Sequence, residues 1–174
     1  MPITPDTKDW TWVLERPCPG CGFDPAAVSF RALPALLGET ASRWAEVLSG
    51  DGERIRPDDA TWSPLEYGAH MRDVCRVFAE RFALMLAEDD PQFANWDQDA
   101  AAVAERYNEQ RPAIVAAELT QAAQTLATLL GEVPDAALTR TGRRGDGARF
   151  TVDSLGAYLA HEAVHHVWDV TGER

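Results

Sequence analysis

Three of the chain's four histidines lie within one short run, His161-Glu162-Ala163-Val164-His165-His166, and the fourth is His70. On a helix, residues four apart share a face, so His161 and His165 project together, as a single metal ion requires of two imidazoles. With a rotation of about 100° per residue, Ala157, His161, Val164, His165 and Trp168 form one mostly apolar stripe. A lone histidine in such a stripe reads as a hydrogen-bonded core residue. Two of them each bring a polar atom that must be satisfied, and a metal satisfies both. His166 points roughly 100° away from His165 and is expected not to share that ion.

A metal held by protein takes three or four protein ligands. His70 is the remaining imidazole, in the second turn of a helix beside Val74 and Phe78. The expected set is therefore His70, His161 and His165, with open positions for water or substrate, as catalytic sites have. Three imidazoles suit zinc first, with nickel and iron as the other choices.

His161-Glu162-Ala163-Val164-His165 also matches H-E-x-x-H, the zinc-metallopeptidase pattern in which the glutamate is the general base. Only nine residues follow His165, and Thr171 stands where the extended motif has its third histidine. The peptidase reading is therefore a minor alternative, and Glu162 reads as support for a ligand or as a solvated residue. A di-iron bundle needs two Glu-x-x-His motifs, and Glu162–His165 is the single instance.

Two further groups carry chemistry. Cys18-Pro19-Gly20-Cys21-Gly22 holds a C-x-x-C pair, half of a zinc knuckle or a redox dithiol. Thiols with a structural role, a metal site completed across a dimer, and redox chemistry all stay open for it. Cys75 reads as a small buried residue. Arg140, Arg143, Arg144 and Arg149 cluster in one loop; Arg143, Arg144 and Arg149 are candidates for binding a carboxylate-bearing substrate. The plainer account is a solvated loop balancing nearby acids.

The elements that position these residues are helical. Phe30, Leu33, Leu37, Ala41, Trp44 and Leu48 recur at spacings of three and four, predicting a helix from about Pro25 to Ser49 that Pro34 kinks or delays. Ser63-Pro64-Leu65-Glu66 is an N-cap, an N1 proline and a capping-box glutamate, opening a helix to about Ala87. A short helix is expected over Asp97–Asn108, and a longer one from Pro112 to Gly131. Residues 134–149 form a loop or small hairpin, since Gly-Arg-Arg-Gly-Asp-Gly favours tight turns. The last helix runs from about Thr151 to Val170, with Gly172 as its stop. The fold class is all-α, a four-helix bundle over residues 25–174, preceded by an irregular arm of residues 1–24.

Composition bounds the function. The chain has 174 residues, is 45% hydrophobic and carries a formal charge of −12. That balance argues against a nucleic-acid surface, which needs clustered positive charge, and makes an anionic membrane an unsuitable partner; a small-molecule substrate is expected instead. Met1-Pro2-Ile3-Thr4-Pro5-Asp6 has no apolar core of the secretory type, no uninterrupted apolar run approaches the roughly 20 residues that span a bilayer, and three cysteines make no disulfide framework. A cytoplasmic protein is expected.

Several of these residues together resemble the DinB-like superfamily: Trp62-Ser63-Pro64-Leu65-Glu66-Tyr67 with His70, Asp146-Gly147 with Phe150-Thr151-Val152, and His161-Glu162 with His165-His166 and Asp169-Val170. The resemblance covers about residues 25–170 and leaves the arm outside. It implies a four-helix bundle, often dimeric, with a divalent metal on three histidines, at His70, His161 and His165 here. It also implies activation of a low-molecular-weight thiol, such as mycothiol or bacillithiol, in transferase or isomerase chemistry. The expected function is a metal-dependent, thiol S-transferase-like enzyme. The competing class is a non-catalytic metal- or ligand-binding bundle serving stress response, and turnover of a thiol with an electrophile separates the two.

The last helix is apolar on two sides: Ala157, His161, Val164, His165 and Trp168 on one, Val152, Leu159, Ala163 and Val170 on the other. One stripe suffices for a helix in a single bundle. The arm, with Trp10, Trp12 and Phe23, or a second subunit must cover the other side, and a homodimer with the arm packed on the bundle is expected. Light scattering at micromolar concentration should give twice the 19.1 kDa chain mass; a constant monomer mass leaves the arm as the cover.

Overall fold

The computed structural model describes residues 9–173. The first eight residues of the arm, and with them the reading of Met1–Asp6, lie outside these. Four long helices form the body: α1 (Leu33–Val47), α2 (Pro64–Ala87), α4 (Pro112–Glu132) and α5 (Val152–Thr171), with a short α3 (Gln98–Ala104) between the second and third. α4 packs against α1 and α2, and α5 packs against the same two. The consecutive helices α1 and α2 therefore face each other across a diagonal of the bundle.

α1 begins later than the periodicity suggests. Residues 25–27 and 30–32 form two short 3-10 turns, and the α-helix opens at Leu33 with Pro34 in its first turn. Proline has no N–H to give and its ring clashes with the carbonyl four residues back. The helix thus starts where Pro34 falls among the N–H groups that need no helical partner. Leu33, Leu37, Thr40, Ala41 and Trp44 form its buried face.

α2 opens on the capping box. Ser63 Oγ accepts from the Glu66 backbone N–H at 3.3 Å, and Glu66 Oε2 accepts from the Ser63 N–H at 2.9 Å. Arg56 Nε donates to the same carboxylate at 2.8 Å. A second buried network fixes α2 lower down. Asp73 takes Arg72 at 2.9 Å and the Tyr107 hydroxyl at 2.7 Å, tying the linker before α4 to α2. α3 stops short of the expected Asn108 because Arg106 turns left-handed, with φ of 52°.

Before α5 the expected hairpin is present, as β2 (Thr141–Arg144) and β3 (Arg149–Thr151), antiparallel and pairing Gly142 with Phe150. A further strand, β1 (Gln92–Phe93), pairs parallel to β2 and completes a three-stranded sheet. Two residues carry no alternation, so β1 leaves no pattern in the sequence. Arg140 anchors this sheet on the end of α2, donating to Met85 O and Glu88 O, each at 2.7 Å. α4 is apolar enough by length and composition to cross a membrane; here it buries Val115, Leu119, Ala123, Leu126, Ala127 and Leu130 within the bundle.

α5 is capped by Thr151 and Ser154, which exchange side-chain to backbone hydrogen bonds of 3.0 and 2.9 Å, and ends at Gly172 with φ of 69°. Gly156 lets it approach closely: a Cβ there would lie 2.7 Å from Leu33 Cδ1 and 2.8 Å from Phe30 Cδ2. Both apolar sides of α5 are covered within the chain. Val152, Leu159 and Ala163 are buried in the bundle, and the arm lies over His161 and His165 through Trp10 and Phe23. The arm itself buries Val13, Cys18, Cys21 and Phe23 in the common core.

Glu66 is a heavily used carboxylate of α2, taking bonds from Arg56 and Ser63. Burial raises its pKa, but hydrogen bonds from Arg56 and Ser63 outweigh this and hold it at about 2, below its ordinary 4.5. A depressed pKa contributes stability that is present above the unfolded value and lost as pH falls through the folded one. Glu66→Ala should lower stability in urea by about 2 kcal/mol at neutral pH. Part of the wild-type acid sensitivity between pH 4.5 and about 2 should vanish with it. Equal midpoints for the two proteins at neutral pH would contradict this role.

Candidate metal centre

α5 presents two pairs of side chains, offset from each other by one residue. His161 and His165 lie on one strip, and Glu162 and His166 on the next, about 100° round the helix. The structure gives these strips different neighbours. His70, from α2, meets Glu162 and His166, and their ligand atoms all lie within 4.8 Å of one another. His161 and His165 meet Cys18 and Cys21 of the arm, again with all ligand atoms within 4.8 Å.

The expected set is therefore divided. His70 is not brought together with the His161–His165 pair; it faces the strip that carries His166, the histidine expected to stand aside. The i, i+4 spacing is a property of the helix alone, and it holds for both pairs. Which strip faces α2 depends on how α5 is rotated about its axis, and packing sets that. The same division leaves the H-E-x-x-H pattern without one site, because its glutamate and its two histidines look toward different neighbours.

The first group is closely built. His70 is fully buried, and neither of its ring nitrogens has a hydrogen-bond partner. Its Nε2 stands 3.9 Å from Glu162 Oε2, beyond hydrogen-bonding reach, and the same oxygen lies 3.3 Å from His166 Nε2. His166 Nδ1 is 2.8 Å from Asp169 Oδ2. Asp169 thus holds Nδ1 and turns Nε2 toward Glu162 and His70, the orientation that a carboxylate behind the ring gives a ligating imidazole, whose Nε2 proton a metal would displace. Trp96 stacks on His70 at 5.3 Å, and Trp62 closes its other flank at 5.1 Å.

Electrostatics follow from this enclosure. Burial holds His70 below the ordinary histidine value, so its imidazole is neutral. Burial also opposes charge on Glu162 and His166, yet each outweighs it for the other. Glu162 is pulled well below the ordinary carboxylate range by His166 and His70, and His166 is raised to about 9 by Asp169 and Glu162. In the second group burial lowers His161 to about 4 and pushes the Cys21 thiol up to about 11. Cys75, buried within α2, is likewise raised to about 12 by burial, in keeping with its reading as a small core residue.

Both groups border one cavity of about 900 Å³. Of the four loop arginines, Arg144 lines it. Arg140 serves the end of α2, Arg143 pairs with Asp90 at 3.1 Å, and Arg149 is exposed. A second cavity guanidinium, Arg81, was not legible in the sequence, where it reads as one charged position on α2. It is buried over the faces of Phe78 and Phe93, at 5.3 and 5.1 Å, with a single long hydrogen bond of 3.4 Å to Ala94 O. Burial, and then the repulsion of Arg144, lower its pKa. Arg144 itself pairs with Asp146 at 2.8 Å and lies over Phe150 and Tyr158.

An all-α bundle with two His-containing ligand groups beside one cavity defines the class. The chain belongs to the DinB superfamily, whose model matches residues 35–170. Among solved structures it is similar to YfiT from Bacillus subtilis, described as a probable metal-dependent hydrolase with an unusual four-helix bundle topology. The two are 21% identical, with a TM-score of 0.74 over 82% of this chain and 84% of that one. Comparison with curated proteins gives no match.

Arg81 supplies a test of what the cavity is for. An arginine that holds a fold together costs about 3–5 kcal/mol when its charged partner is left behind. Arg81 has no such carboxylate among the described residues, so Arg81→Met should change thermal stability by no more than about 1 kcal/mol in either direction. A large fall in the melting temperature would make it a structural residue.

Proposed function

We propose that this chain is a divalent-metal-dependent enzyme whose metal is held by His70, Glu162 and His166, acting on a small molecule with an anionic group. The observation that carries the reading is His70: a fully buried imidazole with both nitrogens unpartnered, aimed at a carboxylate and a second imidazole. Burying such a group without partners costs about 1–3 kcal/mol, and a cation among these donors removes that cost. Two imidazoles and one carboxylate leave coordination positions open, and zinc, nickel and iron all accept this donor set.

When bound, the ion would act as a Lewis acid and lower the pKa of a water or thiol. The protein's own residues do the rest. Asp169 orients His166 through Nδ1. Trp62 and Trp96 wall His70 from solvent. Arg81, without a carboxylate partner among the described residues, places a guanidinium in the same cavity, where a carboxylate of the substrate would pair with it.

Two reactions fit. The cavity is near the upper end of small-molecule pockets, with room for a low-molecular-weight thiol beside its electrophile, which favours S-transfer. A donor set of two histidines and one carboxylate is also that of zinc hydrolases, and the similar protein YfiT is described as a probable hydrolase. S-transfer is the leading reading because a cavity of this size suits two reactants.

Elemental analysis of protein purified without chelator or metal-affinity tag tests the centre. His70→Ala and His166→Ala should each remove its metal while circular dichroism keeps its helical signal. Asp169→Asn should weaken metal affinity about 10–100-fold. Unchanged metal content in both histidine variants would refute the assignment. Assays with mycothiol or bacillithiol and an anionic electrophile, run beside ester and amide hydrolysis, then choose between the reactions.

A further inference from the structure

The cysteine pair of the arm, the two histidines on the first strip of α5 and the turn between the cysteines make a second constellation. We propose that Cys18, Cys21, His161 and His165 form a separate structural zinc site that fastens the arm to α5. Two cysteines with two histidines are a complete four-ligand set of the closed, structural kind. The site draws on the arm, which lies outside the 35–170 region matched by the family, and it leaves His70, Glu162 and His166 untouched.

Four observations carry it. The donor atoms all lie within 4.8 Å of one another, and Cys18 Sγ is 3.6 Å from His165 Nδ1. A tetrahedron with bonds of about 2.3 Å to sulfur and about 2.1 Å to nitrogen has edges of roughly 3.3–3.8 Å, so small side-chain movements close the site. His161 is 1% exposed, and both its ring nitrogens are buried without a hydrogen-bond partner.

The loop is also shaped as a metal knuckle. Cys18 N–H donates to Phe23 O at 2.8 Å, Gly22 N–H to Cys18 O at 2.9 Å, and Phe23 N–H reaches Cys21 Sγ at 3.5 Å. Gly22 takes the left-handed conformation, with φ of 77°, that the turn requires. A backbone N–H directed at a cysteine sulfur is a hydrogen bond that a metal-bound sulfur accepts. Finally, the histidine is supported from behind. His165 Nε2 lies 3.5 Å from Asp169 Oδ1, which leaves Nδ1 as the nitrogen that faces Cys18. Asp169 thus stands behind a histidine of each site, His165 here and His166 in the other.

Zinc binding at this position displaces both thiol protons to solvent and leaves the cysteines reduced, so it needs no oxidant. Gly20 allows the loop to lie flat on α5, since a Cβ there would come 3.1 Å from the Trp168 ring. The ion would hold Trp10 and the Cys18–Gly20 segment as one wall of the cavity.

Cobalt substitution of the whole chain tests the site without reference to activity. Cobalt on thiolates gives a ligand-to-metal charge-transfer band in the near ultraviolet that nitrogen and oxygen ligands do not. The wild type should bind about two equivalents of metal and show the band. Cys21→Ser and His161→Ala should lose the band and about one equivalent; His166→Ala should lose the other equivalent and keep the band. Absence of the band from the cobalt-loaded wild type overturns the proposal with no variant needed. So does a Cys18–Cys21 disulfide in the native protein, seen by mass spectrometry under non-reducing conditions. Failure of the His70 centre alone would read differently, as a retained band with a single equivalent.

Discussion

The rotation of α5 about its own axis governs everything else in this molecule. Four ligand-type side chains, His161, Glu162, His165 and His166, occupy two strips about 100° apart. A turn of the helix by that amount would bring the first pair to α2 in place of the second. The rotation is held by close packing rather than by any one bond. Gly156 lets α5 sit against Phe30 and Leu33 at a distance no side chain would allow, and the Thr151–Ser154 box fixes where the helix begins. α2 is held as firmly, by Ser63, Glu66 and Arg56 at its start and by the Asp73 network below His70.

The cavity mixes both signs of charge, and its two guanidinium groups are paired differently. Both lie against aromatic faces, but Arg144 pairs with Asp146 while Arg81 meets no carboxylate among the described residues. Burying a guanidinium without a carboxylate is costly in a folded protein. Such an arrangement is expected where a ligand, rather than the protein, supplies the negative charge.

The arm couples these features. It contributes Val13 and Phe23 to the core and sets Trp10 against both His161 and His165. Asp169 lies beside both His165 and His166, so one carboxylate of α5 touches a histidine on each strip. Arm and bundle thus share one core, although sequence pattern separates them.

Much of the bundle was written in local chemistry. The Ser63–Glu66 box, the three-and-four spacing in α1, the turn-rich hairpin and the Gly172 stop depend on neighbours within a few residues, and local sequence determines these. It likewise determined that four ligand-type side chains of α5 fall into two i, i+4 pairs, and that Cys18 and Cys21 share a short turn. Pro34 announced a late or bent start to α1, and the structure resolved that choice in favour of a late start. The partners of each pair were beyond its reach. His70 joins Glu162 and His166, and the cysteines join His161 and His165, because of how helices distant in the chain are rotated and stacked. Arg81 became a cavity residue for the same reason. Periodicity gives a helix its faces; only the packing of one helix on another decides what each face meets.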